Sequence, residues 1–137
     1  MAIFDQNKFA DWLQTNKVGP YGIGQCATYV RKALEAAGCN TSGHPSAAKD
    51  WGPTLVRIGF QQIDLKGTYT AEKGDIVVFE ASPATPEYGH MGGFDGSHWI
   101  SDFQQDDMWP SKRARVQKTP YKIYRIVGGN VPRSTWN

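Results

Sequence analysis

The chain has 137 residues, enough for one domain around one core and too few for two. Its formal net charge of +2 is no nucleic-acid footprint, and no run approaches the ~18 apolar residues that a membrane-spanning helix needs. Fifteen Gly and eight Pro are spread along the chain, so they mark turns rather than a low-complexity tract.

In chain order, residues 3 to 15 place Ile3, Phe4, Phe9, Trp12 and Leu13 at roughly helical spacing, and Gly19-Pro20 stops the pattern. A second helix starts at about Cys26. Its apolar positions Tyr29, Val30, Ala33, Leu34 and Ala37 recur every three to four residues until Gly38. Ser46 suits the cap of a short turn, and Pro53 suits the first turn of a helix that continues through Leu55 and Ile58 to Gly59.

The period then changes. Lys73-Gly74-Asp75 is a turn, and the apolar run Ile76-Val77-Val78-Phe79 reads as a buried strand. Segments 90 to 94 and 98 to 103 flank Asp95-Gly96, a hairpin signal. Residues 104 to 119 read as a loop between the breakers Pro110 and Pro120, and residues 121 to 127 alternate as a closing strand. Within that loop, Lys112, Arg113 and Arg115 are a solvated basic cluster or a point of attraction for an anionic polymer. Helices followed by an antiparallel sheet predict one α+β domain over residues 1 to 127, with a frayed tail from 128 to 137.

Two cysteines fall near opposite ends of the second helix, on the order of 20 Å apart at ~1.5 Å per residue. A disulfide needs Cα atoms within about 7 Å, so Cys26 and Cys39 have separate explanations. Cys39, beside Gly38, reads as structural. Cys26 lies in the first helical turn, where free N–H groups and the positive dipole end favour a thiolate. Its own N–H is a donor for an oxyanion, and Gly19, Gly22 and Gly24 leave room for a substrate. The plainer alternative is a small buried hydrophobe on the face of Tyr29 and Val30.

A nucleophilic cysteine needs a base and a group that orients the base. His44 sits in a polar loop. His90 opens a strand with glycines on both sides, which favours it, although periodicity does not separate it from His98 on the partner strand. A three-residue hairpin loop pairs residue 90 with 102 and sets Asp102 beside His90 at roughly 5 Å. A two-residue loop puts Ser101 there instead.

"YGIGQCATYV" resembles the cysteine motif of CHAP domains, the cysteine- and histidine-dependent amidohydrolases/peptidases. "KGDIVVF" and "GHMGGFDGSHWISDF" are similar to that family's later strand and histidine motif. The order of helix-borne Cys, strand-borne His and a polar residue on the next strand is shared with NlpC-like peptidases, and the likeness spans about residues 19 to 127. It implies a papain-like half-fold with N-terminal helices packed on a small antiparallel sheet. It also implies cleavage of an amide bond in peptidoglycan, with Cys26 as nucleophile and His90 as general base. Family members often carry an acidic residue and then Asn after the His strand. "SDFQQ" offers Asp102 and Gln104, so the third member stays open among Asp102, Ser101 and Gln104. Gln25, Tyr21 and Cys26 are the residues expected to line the oxyanion site and cleft. No cofactor or metal is implied. Trp51, Trp99 and Trp109 are expected to pack rather than to stack on sugars, and Asp106 and Asp107 to be loop charges.

Residues 1 to 5, Met1-Ala2-Ile3-Phe4-Asp5, lack the basic region and apolar core of a signal peptide. A wall hydrolase made in the cytoplasm then needs delivery to the periplasm or cell wall of a target bacterium. Either a secretion machine injects it, as with type VI amidase effectors, or a phage holin releases it as an endolysin. Injection implies a cognate immunity protein that plugs the cleft. A monomer is expected, with peptidoglycan as substrate and neither nucleic acid nor membrane as partner. The competing classes are a non-catalytic wall-binding module and a papain-like enzyme that transfers acyl groups or deamidates a host protein.

Overall fold

In the computed structural model, which describes residues 4–127, Asp5 caps the first helix. Its carboxylate accepts from the amides of Asn7 (3.0 Å) and Lys8 (3.1 Å), and α1 runs Gln6–Asn16. Phe4 therefore precedes the helix instead of belonging to it, and is buried against Phe9 and Phe60 with ring centroids 5.4 and 5.2 Å away. Ile3 and the tail expected to fray lie outside the described residues. Helix α2 is Cys26–Ala36 and buries Val30, Ala33 and Leu34. A 3-10 turn at Ala48–Asp50 leads into α3, Gly52–Arg57, with Pro53 in its first turn. Ser46 does not cap this turn, since Ala47 holds the cap position.

Five strands follow: β1 Phe60–Gln62, β2 Ile76–Phe79, β3 His90–Phe94, β4 Trp99–Ile100 and β5 Tyr121–Ile126. They pair antiparallel in the order β1-β5-β2-β3-β4, so the last strand inserts between the first and the second. The short helix α4, Lys112–Gln117, occupies part of the segment expected to be loop. Ser111 starts it by accepting from the amide of Ala114 at 3.1 Å. This is the expected α+β half-fold of helices on a small antiparallel sheet.

The apolar run of β2 is continuous because both of its faces are covered. Ile76 and Val78, with Met91, join Leu13, Val30 and Leu34 in the core under the helices. Val77 and Phe79 join Trp99 and Ile123 in a smaller cluster on the other face, covered by Leu65, Tyr69 and Trp109. Gly93 allows α1 to lie on β3: a Cβ there would come within 3.0 Å of Leu13 and closer still to the Phe9 ring.

One polar group ties the loop before β2 to β5. Asp75 is fully buried and accepts from Tyr69 Oη (2.7 Å), the amide of Glu72 (3.0 Å) and Arg125 Nε and Nη2 (both 2.8 Å). Burial and the neighbouring carboxylate push the Tyr69 hydroxyl far up, so it stays a donor. Asp75→Ala leaves these donors without their acceptor, and is expected to lower unfolding stability by about 3 kcal/mol. The urea midpoint reads this; an unchanged midpoint would mean the network contributes nothing to stability.

Candidate active site

Helix α2 begins at Cys26 without a side-chain cap of its own, because Gln25 at the cap position makes no such bond. A distant carboxylate fixes the approach instead. Oδ2 of the buried Asp102 accepts from the amides of Ile23 (2.8 Å) and Gln25 (2.9 Å), and Oδ1 accepts from Ser101 Oγ (3.3 Å). Gly22 suits this contact, since a Cβ there would stand 3.0 Å from Asp102 Oδ1 and from the Phe103 ring and press on both.

The sulfur of Cys26 meets strand β3 at an open edge. Strand β4 pairs with Gly93 and Phe94, which leaves His90 and Met91 without a strand partner on that side among the described residues. The amide of Met91, the residue after His90, is near enough to the Cys26 sulfur to favour its charged form. Burial pushes the thiol up from its ordinary range and the charge of Asp102 adds to this. The amides of Met91, Ala27 and Cys26 itself pull the other way. The resting group is a thiol.

His90 opens β3 and is half-buried, and its Nε2 lies 2.8 Å from Gln105 Oε1. Gln105 is 4 % exposed, and its Nε2 donates to the carbonyls of Asp107 (3.0 Å) and Met108 (3.1 Å). Those two acceptors fix which end of the amide faces the imidazole. Oε1 must accept, so His90 carries its proton on Nε2 and Nδ1 is the basic nitrogen. Burial lowers the affinity of the ring for a second proton, against the opposing pull of Gln105 and of the Asp102 charge. A neutral thiol and a neutral imidazole, borne on the contacting elements α2 and β3, are the groups that a general-base mechanism uses.

The hairpin forms neither register expected from the sequence. Phe94 pairs with Trp99, so the loop has four residues, 95 to 98, and the Asp95 carboxylate holds it by accepting from the amides of Ser97 (2.8 Å) and His98 (2.5 Å). After Ile100 the chain reverses instead of continuing to Phe103. Ser101 N–H donates to Phe103 O (3.0 Å), and Gln105 N–H donates to Trp99 O (2.9 Å). That reversal brings Gln105 to His90, turns Asp102 toward the loop before α2 and leaves Gln104 exposed. Asp102 and Ser101 are therefore not cross-strand neighbours of His90.

The other candidates separate clearly. His98 is exposed at the hairpin tip, 3.9 Å from Asp95, and His44 stacks on Trp51 with ring centroids 5.4 Å apart. Both cysteines are free; Cys39 is buried, and burial pushes its thiol up to about 11. A cavity of about 290 Å³ beside Cys26 is lined by Gly24, Gln25, Thr28, Ser46 and Tyr88. Gln25 thus stands in the cleft, while the exposed Tyr21 lies outside this lining. The sequence marks Ser46 only as a turn cap and does not mark Tyr88 at all, because no local motif ties either to the cleft. Among the described residues no cluster of three or more His, Cys, Asp or Glu is arranged to hold a metal ion, and no helix is long and apolar enough to cross a membrane.

A cysteine at the start of a helix that packs on the strand opened by a histidine agrees with the family that the sequence motifs suggest. Residues 16–101 match the CHAP domain family, and the chain belongs to it. Its structure is similar to a chain of the type VI effector-immunity complex Tae3-Tai3 from Ralstonia pickettii. The native complex gives 38% identity over 90% of this chain and 100% of that one, with a TM-score of 0.80. The selenomethionine form gives 38% identity over 85% and 98%, with a TM-score of 0.73. No curated protein sequence matches the chain significantly.

Proposed function

We propose that the chain is a peptidoglycan amidohydrolase that cuts an amide bond of the wall peptide through Cys26 and His90, within a single catalytic domain over residues 1 to 127. The observation that carries this reading is the meeting of the α2 start with the open edge of β3. There the amide of Met91 favours the charged form of the Cys26 sulfur, and His90, the residue before Met91, has its proton fixed on Nε2 by Gln105. Membership in the CHAP family supports the reaction class.

The steps follow from those positions. His90 Nδ1 takes the thiol proton as the sulfur attacks the amide carbonyl, and the N–H of Cys26 donates to the oxyanion. Gln105 Oε1 and the charge of Asp102 stabilise the imidazolium. His90 then gives the proton to the leaving amine and a thioester remains. Water, losing a proton to Nδ1, attacks the thioester; the tetrahedral intermediate collapses, and the sulfur leaves and recovers its proton. Asp102 acts here by anchoring the nucleophile loop and by its field, and Gln105 is the positioning residue for the base.

Similarity to a type VI effector-immunity complex supports a second part of the proposal. The chain is an antibacterial effector that acts as a monomer in the periplasm or wall of a target cell after delivery, and a cognate immunity protein covers the cleft. Incubation of the wild-type protein with purified sacculi tests the enzyme. Soluble fragments should appear, their masses identifying a newly freed amine and carboxylate. Retention on sacculi with no release would replace the hydrolase with a binding module, and action on proteins alone would replace the substrate class.

A further inference from the structure

On the sheet face that carries His90, a row of aromatic residues leads away from the site. Phe79 of β2 pairs with His90 of β3 on one side and with Tyr121 of β5 on the other. Trp109 lies over this row, its ring centroid 5.4 Å from Phe79 and 5.3 Å from Tyr121, the latter at an interplanar angle of 83°. Beside Trp109 and Tyr121 opens a cavity of about 630 Å³, with Leu65 and Pro120 in its wall and Arg115 and Lys118 at its rim. Strands lie ~4.8 Å apart, so Tyr121 is about 10 Å from His90, the span of roughly three extended residues.

The chain segment that borders this cavity is basic. Between residues 112 and 122 the chain carries Lys112, Arg113, Arg115, Lys118 and Lys122 and no acidic residue. Asp107 answers part of it: its Oδ2 holds Arg115 Nη1, and its Oδ1 accepts from the amide of Trp109 at 2.9 Å, which fixes the tryptophan's loop. Lys118 has no carboxylate partner among the described residues. It also holds a left-handed conformation, with φ of 53°. Half-buried aromatic planes suit the faces of pyranose rings, and rim cations suit carboxylates.

We infer that this cavity is a second binding site for the peptidoglycan strand: sugar rings against Trp109 and Tyr121, stem-peptide carboxylates against Lys118 and Arg115. The site holds the polymer about 10 Å from the catalytic imidazole. It rests on the proposed substrate class and adds a subsite outside the cleft beside Cys26.

The test measures co-sedimentation with sacculi in the Cys26→Ala background, so that bound polymer is not consumed. Adding Arg115→Gln and Lys118→Asn should weaken retention about tenfold at low salt and flatten its salt dependence. Asn tolerates the left-handed backbone, and both residues are exposed, so this variant keeps the fold. Trp109→Ala should weaken retention about tenfold at high salt as well, where charge is screened. Unchanged retention in the charge variant would overturn the inference. An equal loss of binding to double-stranded DNA would also overturn it, as it would mark a general polyanion surface. Fragment release by wild type with retention untouched by these substitutions sinks the second site alone. Retention that depends on them, with no fragment release by wild type, sinks the hydrolase and leaves the site.

Discussion

Cys26→Ala and His90→Ala are each expected to slow fragment release from sacculi by at least about ten-thousand-fold, and the double variant to be no worse than either. The reason is that the two groups act as one unit. With the thiol pushed up by burial and the imidazole pulled down, neither ionises the other at rest, and the proton moves only as the sulfur attacks. Without the base the thiol is a poor nucleophile; without the sulfur the base has only water to activate. Both residues are half-buried, so thermal melting should move little. A Cys26→Ala protein within tenfold of wild type would mean that another group attacks the amide.

Gln105→Ala is expected to lose about a hundredfold in kcat/KM and to shift the pH profile. The sign follows from His90. Activity needs the neutral ring, and burial holds its pKa below the usual 6.5, so the wild-type acid limb lies below that value and activity is full through neutral pH. The bond from Gln105 raises the pKa of His90. Removing it moves the limb further toward acid while the maximal rate falls, because Nε2 no longer has a fixed acceptor. Gln105→Glu should move the limb the other way, since a carboxylate favours the imidazolium. A role confined to packing would lower stability and leave the limb in place. A rate within twofold of wild type with an unmoved limb would remove Gln105 from the mechanism.

The start of α2, the strand β2 and the strand β3 are legible in the sequence because each has a sustained pattern: helical spacing after Cys26, an apolar run at 76 to 79, and glycines framing His90. Strand β1 is not, since only Phe60 of its three residues is buried and no alternation can show. Helix α4 hides in a basic segment where Ala114 is the one buried residue among its six, so its signal is the cap at Ser111 rather than a face. The site reads unevenly for a related reason. Cys26 and His90 lie on elements whose periodicity is visible. Gln105 reaches His90 only because the chain reverses after Ile100, and alternation carried through 98 to 103 predicts the opposite. The nearest sequence candidate was its neighbour Gln104, on the wrong side of the backbone.

That reversal has a consequence for which lengths of chain the protein tolerates. Residues 101 to 105 hold the nucleophile's loop at one end, through Asp102, and the base at the other, through Gln105. The two reacting groups come from segments more than sixty positions apart in the chain, yet one five-residue span sets their alignment. Extra residues among the exposed Lys66, Gly67 and Thr68 only lengthen a surface path, at ~0.6 kcal/mol for each doubling of its length. A single residue inserted between 102 and 105 would rotate one anchor away from the other and uncouple the pair without touching either member. Natural length variation in this protein should therefore gather in the connections and spare that span.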